Sequence, residues 1–186
     1  MDLPRRKTQR LKEYDYSSSG SYFVTICTKD RKELLSQILV GDDVLDVPKN
    51  TLANYGEIAN RHLLNMSDFY DNIKIDKFVI MPNHIHLLIQ ISETNKSVGL
   101  SGASAPTKSL IAQFISTFKR FCNKEYNENI WQRSYHDHII RGKEDYDKIW
   151  EYIDTNVLRW EKDCFYNKLE LRDVEDAVPY NTTIKY

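Results

Sequence analysis

Runs of apolar and β-branched residues along the chain are separated by polar breaks, and three of these runs predict β-strands. Residues 22 to 28 are dense in aromatic and β-branched side chains, which is typical of a buried strand. Residues 73 to 81 and 84 to 91 form two further runs of this kind, separated only by the turn residues Pro82 and Asn83. The second and third strands are therefore expected to form a hairpin.

Two other segments show apolar residues at the three-to-four-residue spacing of an amphipathic helix, residues 52 to 66 and residues 110 to 122. Residues 131 to 141 have the bulk and alternation of a fourth strand, and residues 143 to 162 predict a last helix. The order strand, helix, strand, strand, helix, strand matches the ferredoxin-like βαββαβ plan. We therefore predict an α+β fold with a four-stranded antiparallel sheet, helices on one face and one additional C-terminal helix.

The composition is that of a soluble globular domain, with 41% hydrophobic and 28% charged residues among 186. We expect a basic N-terminal arm over residues 1 to 20, one domain over residues 21 to 165, and a tail over residues 166 to 186. Residues 92 to 107 are rich in Ser, Gly, Thr and Pro and predict a long loop. No apolar run has the length of a membrane span or a signal peptide, so a cytoplasmic protein without a membrane partner is expected.

The distribution of charge gives only weak support for nucleic-acid binding. The net charge of -1 does not favour bulk nucleic-acid binding, although basic residues concentrate in two places. The arm carries Arg5, Arg6 and Arg10, and the polar face of the second predicted helix carries Lys119, Arg120 and Lys124. Taken singly, each of these residues is more typical of a solvated surface than of a phosphate contact.

His84 and His86 are two residues apart in a predicted strand, so their imidazoles should lie side by side on one face. Two neighbouring imidazoles make half of a metal site, while a pair of buried or solvated structural histidines is the equally simple alternative. His136 and His138 form a second pair of the same spacing in the fourth predicted strand. Spacing alone does not separate the two pairs.

Tyr152 and Asn156 lie one helical turn apart in the last predicted helix and so share a face. They stand at the edge of its apolar stripe, where a side chain can reach from a packed interface into a cleft. The alternative is structural: Tyr152 packs its ring against the core, and Asn156 hydrogen-bonds a helix end.

Three motifs together resemble a known family. They are the Pro82-Asn-His-Ile-His86 run followed by Leu-Leu-Ile, Trp131-Gln132 ahead of a Tyr-His-Asp-His-Ile-Ile-Arg strand, and Tyr152-Ile-x-x-Asn156. In this order they resemble the single-tyrosine HUH transposases, and among them the REP-associated tyrosine transposases, over about residues 5 to 165. The resemblance implies the ferredoxin-like fold, metal ligation by His84, His86 and Asn156, and Tyr152 as the nucleophile.

The resemblance also implies an activity. A member of this family would cleave and rejoin single-stranded or hairpin DNA through a 5′-phosphotyrosine, with a divalent cation, Mg²⁺ or Mn²⁺, at the histidines. The family usually carries Asn-Pro where this chain has Asn156-Val157, so the last helix is expected to continue past Asn156.

DNA recognition would require a basic surface and rings that stack on bases. The candidates are the six basic residues of the arm and the second helix, with Trp131 and Tyr135 for stacking and His138 for a metal or phosphate contact. Two other functions remain open, a weakly catalytic DNA-hairpin-binding protein and a metal-binding domain that acts on RNA. The resemblance is compatible with both a homodimer and a monomer.

Overall fold

The structure is a computed structural model that describes residues 18–39, 47–92 and 109–166. The basic arm with Arg5, Arg6 and Arg10, most of the predicted loop after residue 92, and the tail after residue 166 lie outside the described residues. The proposed division into arm, domain and tail therefore stays a prediction. Among the helices that the structure describes, none is long and apolar enough to cross a membrane.

Nine helices and strands make up the described ranges, apart from short 3₁₀ segments. They are β1 (Gly20–Cys27), β2 (Ser36–Leu39), β3 (Lys49–Leu52), α1 (Asn54–Asn65), β4 (Ile73–Ile80), β5 (His84–Ile91), α2 (Leu110–Tyr126), β6 (His136–Ile139) and α3 (Lys143–Thr155). Pro82 and Asn83 form the turn between β4 and β5, as predicted. Ser109 caps α2 by accepting a hydrogen bond from the Ala112 backbone amide.

The central sheet has the strand order β4-β5-β1-β6, and every pairing in it is antiparallel. With α1 after β1 and α2 after β5, this order is that of the ferredoxin-like βαββαβ fold. The predicted fold class is thus confirmed. β1 pairs with β5 along its whole length, from Gly20 opposite Ile91 to Cys27 opposite His84.

The two faces of the sheet are covered by different helices. Alternate β1 residues Tyr22, Val24 and Ile26 point into the main core, which they share with α1 and α2. The opposite face carries Phe23 and Leu88, and these pack against Ile149 and Ile153 of α3. Both helices of the βαββαβ unit therefore lie on one face, as predicted, and the additional helix covers the other face.

Three local predictions differ from the structure. The fourth strand is only four residues long, because residues 132 to 135 leave the sheet after an isolated bridge between Thr28 and Trp131. The small β2-β3 hairpin was not predicted. The last α-helix ends at Thr155 and gives way to a 3₁₀ segment over Val157–Lys162, so it does not continue as an α-helix past Asn156.

Gly56 allows α1 to approach the backbone that enters β2. A Cβ atom at position 56 would lie 1.9 Å from the Leu35 carbonyl oxygen, which itself accepts a hydrogen bond from the Ala53 amide. The Leu35 amide in turn donates to the Pro82 carbonyl in the turn before β5. The close approach therefore links α1 to the turn that precedes the two histidines.

We expect Gly56→Ala to destabilise the protein by about 2 kcal/mol in urea unfolding, because the methyl group forces apart two backbone segments. Helix propensity alone predicts a gain of about 1 kcal/mol, so the sign of the change tests the close approach. Leu64→Ala, at an exposed position of the same helix, should change stability by no more than about 0.5 kcal/mol. A stabilised Gly56→Ala variant would contradict the close approach.

Candidate active site

His84 and His86 lie on the face of the sheet that α3 covers, at the start of β5. In the β1 register His84 is opposite Cys27 and His86 is opposite Thr25, and both imidazoles are fully buried. Their Nε2 atoms are 2.9 Å apart. The sequence-based prediction that the two rings lie side by side is therefore confirmed, and their ring nitrogens face a common point.

Asn83 determines which nitrogen of His84 is available. The Asn83 side-chain amide donates to the Phe165 carbonyl at 2.7 Å, so its oxygen faces His84 Nδ1, 2.9 Å away. An amide oxygen only accepts hydrogen bonds, so Nδ1 of neutral His84 carries the proton. Nε2 of His84 is left with a lone pair that points towards His86.

Burial keeps both imidazoles neutral. Desolvation, with a smaller contribution from the nearby Arg31 charge, lowers the pKa of His84 to about 3. Desolvation and the neighbouring His84 hold the pKa of His86 well below its usual range. Nδ1 of His86 lies 2.9 Å from the Thr25 hydroxyl, which can donate or accept and so suits either tautomer.

Tyr152 reaches the pair from α3 of the same chain. Its hydroxyl lies 3.3 Å from His86 Nε2, and its ring meets Phe23 edge to face, with ring centroids 5.9 Å apart. Burial, followed by the Asp163 carboxylate, raises the pKa of the Tyr152 hydroxyl above its ordinary value. The structure thus brings together in one chain the tyrosine and the histidines that the sequence singled out separately.

Asp163 completes the cluster and was missed by the sequence-based prediction. One ligand atom each from His84, His86 and Asp163 lies within 4.8 Å of the other two. Asp163 Oδ2 accepts hydrogen bonds from the Tyr152 hydroxyl at 3.3 Å and from the Asn156 amide at 3.1 Å. No sequence signal identified it, because helical spacing does not relate residues across the change from α-helix to 3₁₀ geometry after Thr155.

Asn156, the C-cap residue of α3, is 1% exposed and directs its amide group into the same cluster. Its nitrogen faces Asp163, since a carboxylate oxygen only accepts hydrogen bonds. Its side-chain oxygen is buried and finds no hydrogen-bond partner in the part of the chain that the structure describes. A buried acceptor without a donor is unfavourable unless something positive satisfies it.

The Asp163 carboxylate accepts hydrogen bonds from Tyr152, Asn156 and the Phe165 amide, but within the described residues it has no basic side chain as an ion-pair partner. The Asp163 side chain is 2% exposed, and no lysine or arginine within the described ranges forms an ion pair with it. A carboxylate removed from water is costly without a counter-charge. Two neutral imidazoles and a carboxylate, with the Asn156 amide beside the carboxylate, offer ligand types that suit a divalent cation.

The 3₁₀ segment and the residues after it cover this cluster. Phe165 packs on His84 with ring centroids 4.5 Å apart, and Trp160 lies next to it at 6.0 Å. Asp163 belongs to the same stretch. These residues therefore shield the histidine nitrogens from solvent.

The second histidine pair is not part of the cluster. His138 is opposite Phe23 in the sheet, and its Nε2 lies 2.9 Å from the Asp145 carboxylate at the start of α3. The expectation that His138 approaches the metal site is thus wrong, because Asp145 holds the ring at the other end of α3 from Tyr152. His136 is opposite Thr25, and burial with the Arg31 charge lowers its pKa.

The remaining predicted DNA-binding residues fall into two groups. Trp131 is 3% exposed and packs on Phe118, so its ring belongs to the core and offers no face for base stacking. The expectation that it stacks on DNA is therefore corrected. Lys119, Arg120 and Tyr135 line a cavity, whereas Lys124 is exposed outside that cavity.

Comparison with known proteins shows similarity to transposases. The family described as "Transposase IS200 like" matches residues 16–156. A Haemophilus influenzae protein of uncharacterised function is 36% identical over 177 residues, covering 88% of this chain and 94% of the relative. A second protein from that organism, provisionally named a REP-associated tyrosine transposase, is 27% identical over 154 residues, covering 78% of this chain and 74% of the relative.

Among solved structures, a REP-associated tyrosine transposase bound to a REP hairpin has a TM-score of 0.53 at 18% identity, with both chains fully covered. At that identity the likeness shows the fold. Together with the family match and the named relative, it confirms the resemblance to REP-associated tyrosine transposases that the motifs indicated. The chain belongs to the IS200-like transposase family.

Proposed function

We propose that this protein cleaves and rejoins a DNA strand through a covalent bond to Tyr152. One observation carries the proposal: the Tyr152 hydroxyl contacts both His86 and Asp163 within a buried cluster of metal-ligand atoms. A tyrosine that only packed in the core would not need two buried imidazoles and a carboxylate around its oxygen. Membership of a transposase family agrees with this chemistry.

The proposed substrate is single-stranded DNA or the foot of a DNA hairpin. The support is the similarity to named REP-associated transposases, one of which is bound to a REP hairpin in its structure. A single strand suits this site better than a duplex, because Tyr152 lies between helix α3 and the sheet, where one backbone phosphate fits more easily than a paired duplex.

We further propose that His84, His86, Asp163 and Asn156 hold a divalent cation, Mg²⁺ or Mn²⁺. The support is the close grouping of His84, His86 and Asp163, together with the Asn156 oxygen, which has no hydrogen-bond donor among the described residues. When bound, the cation would offset the negative charge that makes a phosphodiester resist attack. Asn83 and Thr25 would contribute by orienting the two imidazoles through their Nδ1 atoms.

The residues of the chain provide the nucleophile and its orientation. The Tyr152 oxygen forms a bond to phosphorus while the bond from phosphorus to the 3′-oxygen breaks. The phenol loses its proton, and the released 3′-oxygen gains one to become a hydroxyl group. Asp163 and His86 hold the Tyr152 hydroxyl in place before attack. Reversal onto another 3′-hydroxyl rejoins DNA without ATP, since the phosphotyrosine keeps the ester bond.

One observation favours a second candidate, a hairpin-binding protein with weak or no catalysis. His84 and His86 are fully buried, and Phe165 covers His84 in this structure. A protein that binds DNA on another surface would not need to open this cover. Hairpin binding that persists in a chelator, without an adduct under any metal condition, would support that function.

Tyr152→Phe should abolish covalent adduct formation with hairpin-bearing single-stranded DNA in Mn²⁺, because the ring is kept and only the attacking oxygen is removed. The measurement is a protein–DNA band that survives denaturing electrophoresis. Tyr146→Phe is the matched control, since Tyr146 lies on the same helix and hydrogen-bonds Asp76 instead of the cluster. An adduct that survives Tyr152→Phe would place the nucleophile elsewhere.

Mn²⁺ affinity, measured by calorimetry without DNA, should fall by roughly 10-fold to 100-fold in Asn156→Ala and at least as much in Asp163→Asn. Asp163→Asn removes the charge of a carboxylate that lies within reach of both histidines, and Asn156→Ala removes the buried amide oxygen beside that carboxylate. Asp154→Asn serves as control, because Asp154 is exposed on α3 and pairs with Lys77. Unchanged Mn²⁺ binding in both cluster variants would show that neither residue is a ligand.

A further inference from the structure

Three polar side chains form a row across the α3 face of the central sheet. The pairing of β1 with β5 places Thr25 opposite His86, and the pairing of β1 with β6 places His136 opposite Thr25 on its other side. Residues that are directly opposite in antiparallel strands share a face, with Cβ atoms about 5 Å apart. The Thr25 hydroxyl lies 2.9 Å from His86 Nδ1, so this face is the one that carries the cluster. His136 therefore lies on the face of the cluster, two strands from His86.

Burial decreases along this row towards the edge of the sheet. His86 and Thr25 are buried, whereas His136, on the edge strand β6, is only half-buried. Tyr152 and Phe165 cover the two histidines of β5 from α3 and from the segment that follows it. His136 therefore marks the border between the buried cluster and solvent.

Helix α3 crosses the sheet away from His136. Asp145 in its first turn contacts His138 of β6, while Tyr146 and Asp154 contact residues of β4 at the opposite edge. His136 precedes His138 by two residues and shares its face, but within the described ranges no hydrogen bond or ring contact joins it to α3. The helix therefore leaves the side chain of His136 accessible.

The two histidines of β6 differ in their partners. His138 Nε2 lies 2.9 Å from the Asp145 carboxylate, which fixes that ring. His136 forms no hydrogen bond or ion pair with any residue of the described part of the chain. A neutral imidazole always carries one N–H donor and one acceptor nitrogen. The half-buried donor of His136 is therefore available to a substrate.

Arg31 adds positive charge at the same border. It follows the end of β1, where its guanidinium lies 4.9 Å from the centroid of the Phe165 ring and donates to the Cys164 carbonyl. Burial, followed by the Arg31 charge, lowers the pKa of both His84 and His136. The Arg31 charge thus reaches both the cluster and His136. A neutral hydrogen-bond donor beside a cation is a suitable environment for a phosphate.

We propose that His136 is a further catalytic residue, whose imidazole N–H donates a hydrogen bond to a non-bridging oxygen of the phosphodiester that Tyr152 attacks. A fixed donor directed at these oxygens stabilises the charge that they carry in the transition state. No proton leaves His136 in this role, so its imidazole stays neutral throughout. This inference rests on the proposed function.

The test measures single-turnover formation of the covalent adduct with hairpin-bearing single-stranded DNA and Mn²⁺, using the full chain. His136→Phe keeps a ring without a donor and should slow adduct formation by about 100-fold. His136→Gln keeps an N–H donor and should be at least about 10-fold faster than His136→Phe. Mn²⁺ affinity by calorimetry, and affinity by fluorescence anisotropy for a hairpin without the cleavage site, should be unchanged in both variants.

His138→Phe is the matched control, because it makes the same substitution two residues along the same face of β6. It removes the contact with Asp145 outside the cluster and should leave the rate of adduct formation unchanged. Circular dichroism shows whether each variant is folded at the assay temperature. Equal rates for His136→Phe and His136→Gln, or equal losses in His136→Phe and His138→Phe, would overturn the inference. A loss of Mn²⁺ affinity that matches the loss of rate would also overturn it, since His136 would then act on the metal site.

Failure of this inference differs from failure of the proposed function. If wild-type protein forms the Tyr152 adduct and His136→Phe forms it equally fast, only the role of His136 is wrong. If wild-type protein forms no adduct under any metal condition, both are wrong.

Discussion

The antiparallel pairing of β1 with β5 is the interaction on which the candidate site depends. It places Thr25 beside His86 and Cys27 beside His84, and it buries both strands between helices on the two faces of the sheet. Because a strand alternates sides with a period of two, one register brings Ile85, Leu87 and Ile89 into the main core and both histidines to the opposite face. A shift of the register by one residue would place the histidines in the main core and the aliphatic side chains on the opposite face. The packing of the core therefore fixes the register and, with it, the positions of the imidazoles.

The second requirement is a helix on the face that the βαββαβ unit leaves open. Ile149 and Ile153 pack α3 against Phe23 and Leu88, and each fully buried aliphatic side chain of this kind contributes about 1.5 to 3 kcal/mol. This packing holds Tyr152 over His86. The α-helix then ends at Thr155, and the 3₁₀ segment turns the chain so that Asp163 returns to the cluster. A straight continuation of the α-helix would have carried residue 163 away from it.

Buried polar groups explain why the cluster is more than a packed interface. Each imidazole has its Nδ1 satisfied by a neighbour from the sheet or the turn, which leaves the Nε2 atoms directed at each other. Among the residues that the structure describes, Asp163 has no basic ion-pair partner and the Asn156 side-chain oxygen has no hydrogen-bond donor. Groups of this kind oppose folding and are typical of binding sites, which supports the proposed divalent cation.

Local patterns in the sequence determined the elements and the chemistry of this protein. The alternation in β5 predicted that the two histidines share one face of the strand, and helical spacing predicted that Tyr152 and Asn156 share one face of the last helix. The element order indicated the ferredoxin-like fold. These features depend on near neighbours along the chain, where the periods of strand and helix apply directly. The resemblance of the motifs to a transposase family predicted that these four residues form one site. In the structure, Tyr152 contacts His86, and Asn156 lies beside them through Asp163.

Tertiary structure alone decided the rest. Asp163 lies in the site because the α-helix changes to a 3₁₀ segment, and no periodicity in the sequence predicts that change. His138 lies outside the site because its ring contacts Asp145. Trp131 proved to be core, and the cavity beside α2 formed where the 132–135 stretch leaves the sheet with its carbonyls held by Lys119. Each of these outcomes depends on contacts between residues that are distant in sequence or lie outside regular structure, and their burial and pairing follow from how the whole chain packs.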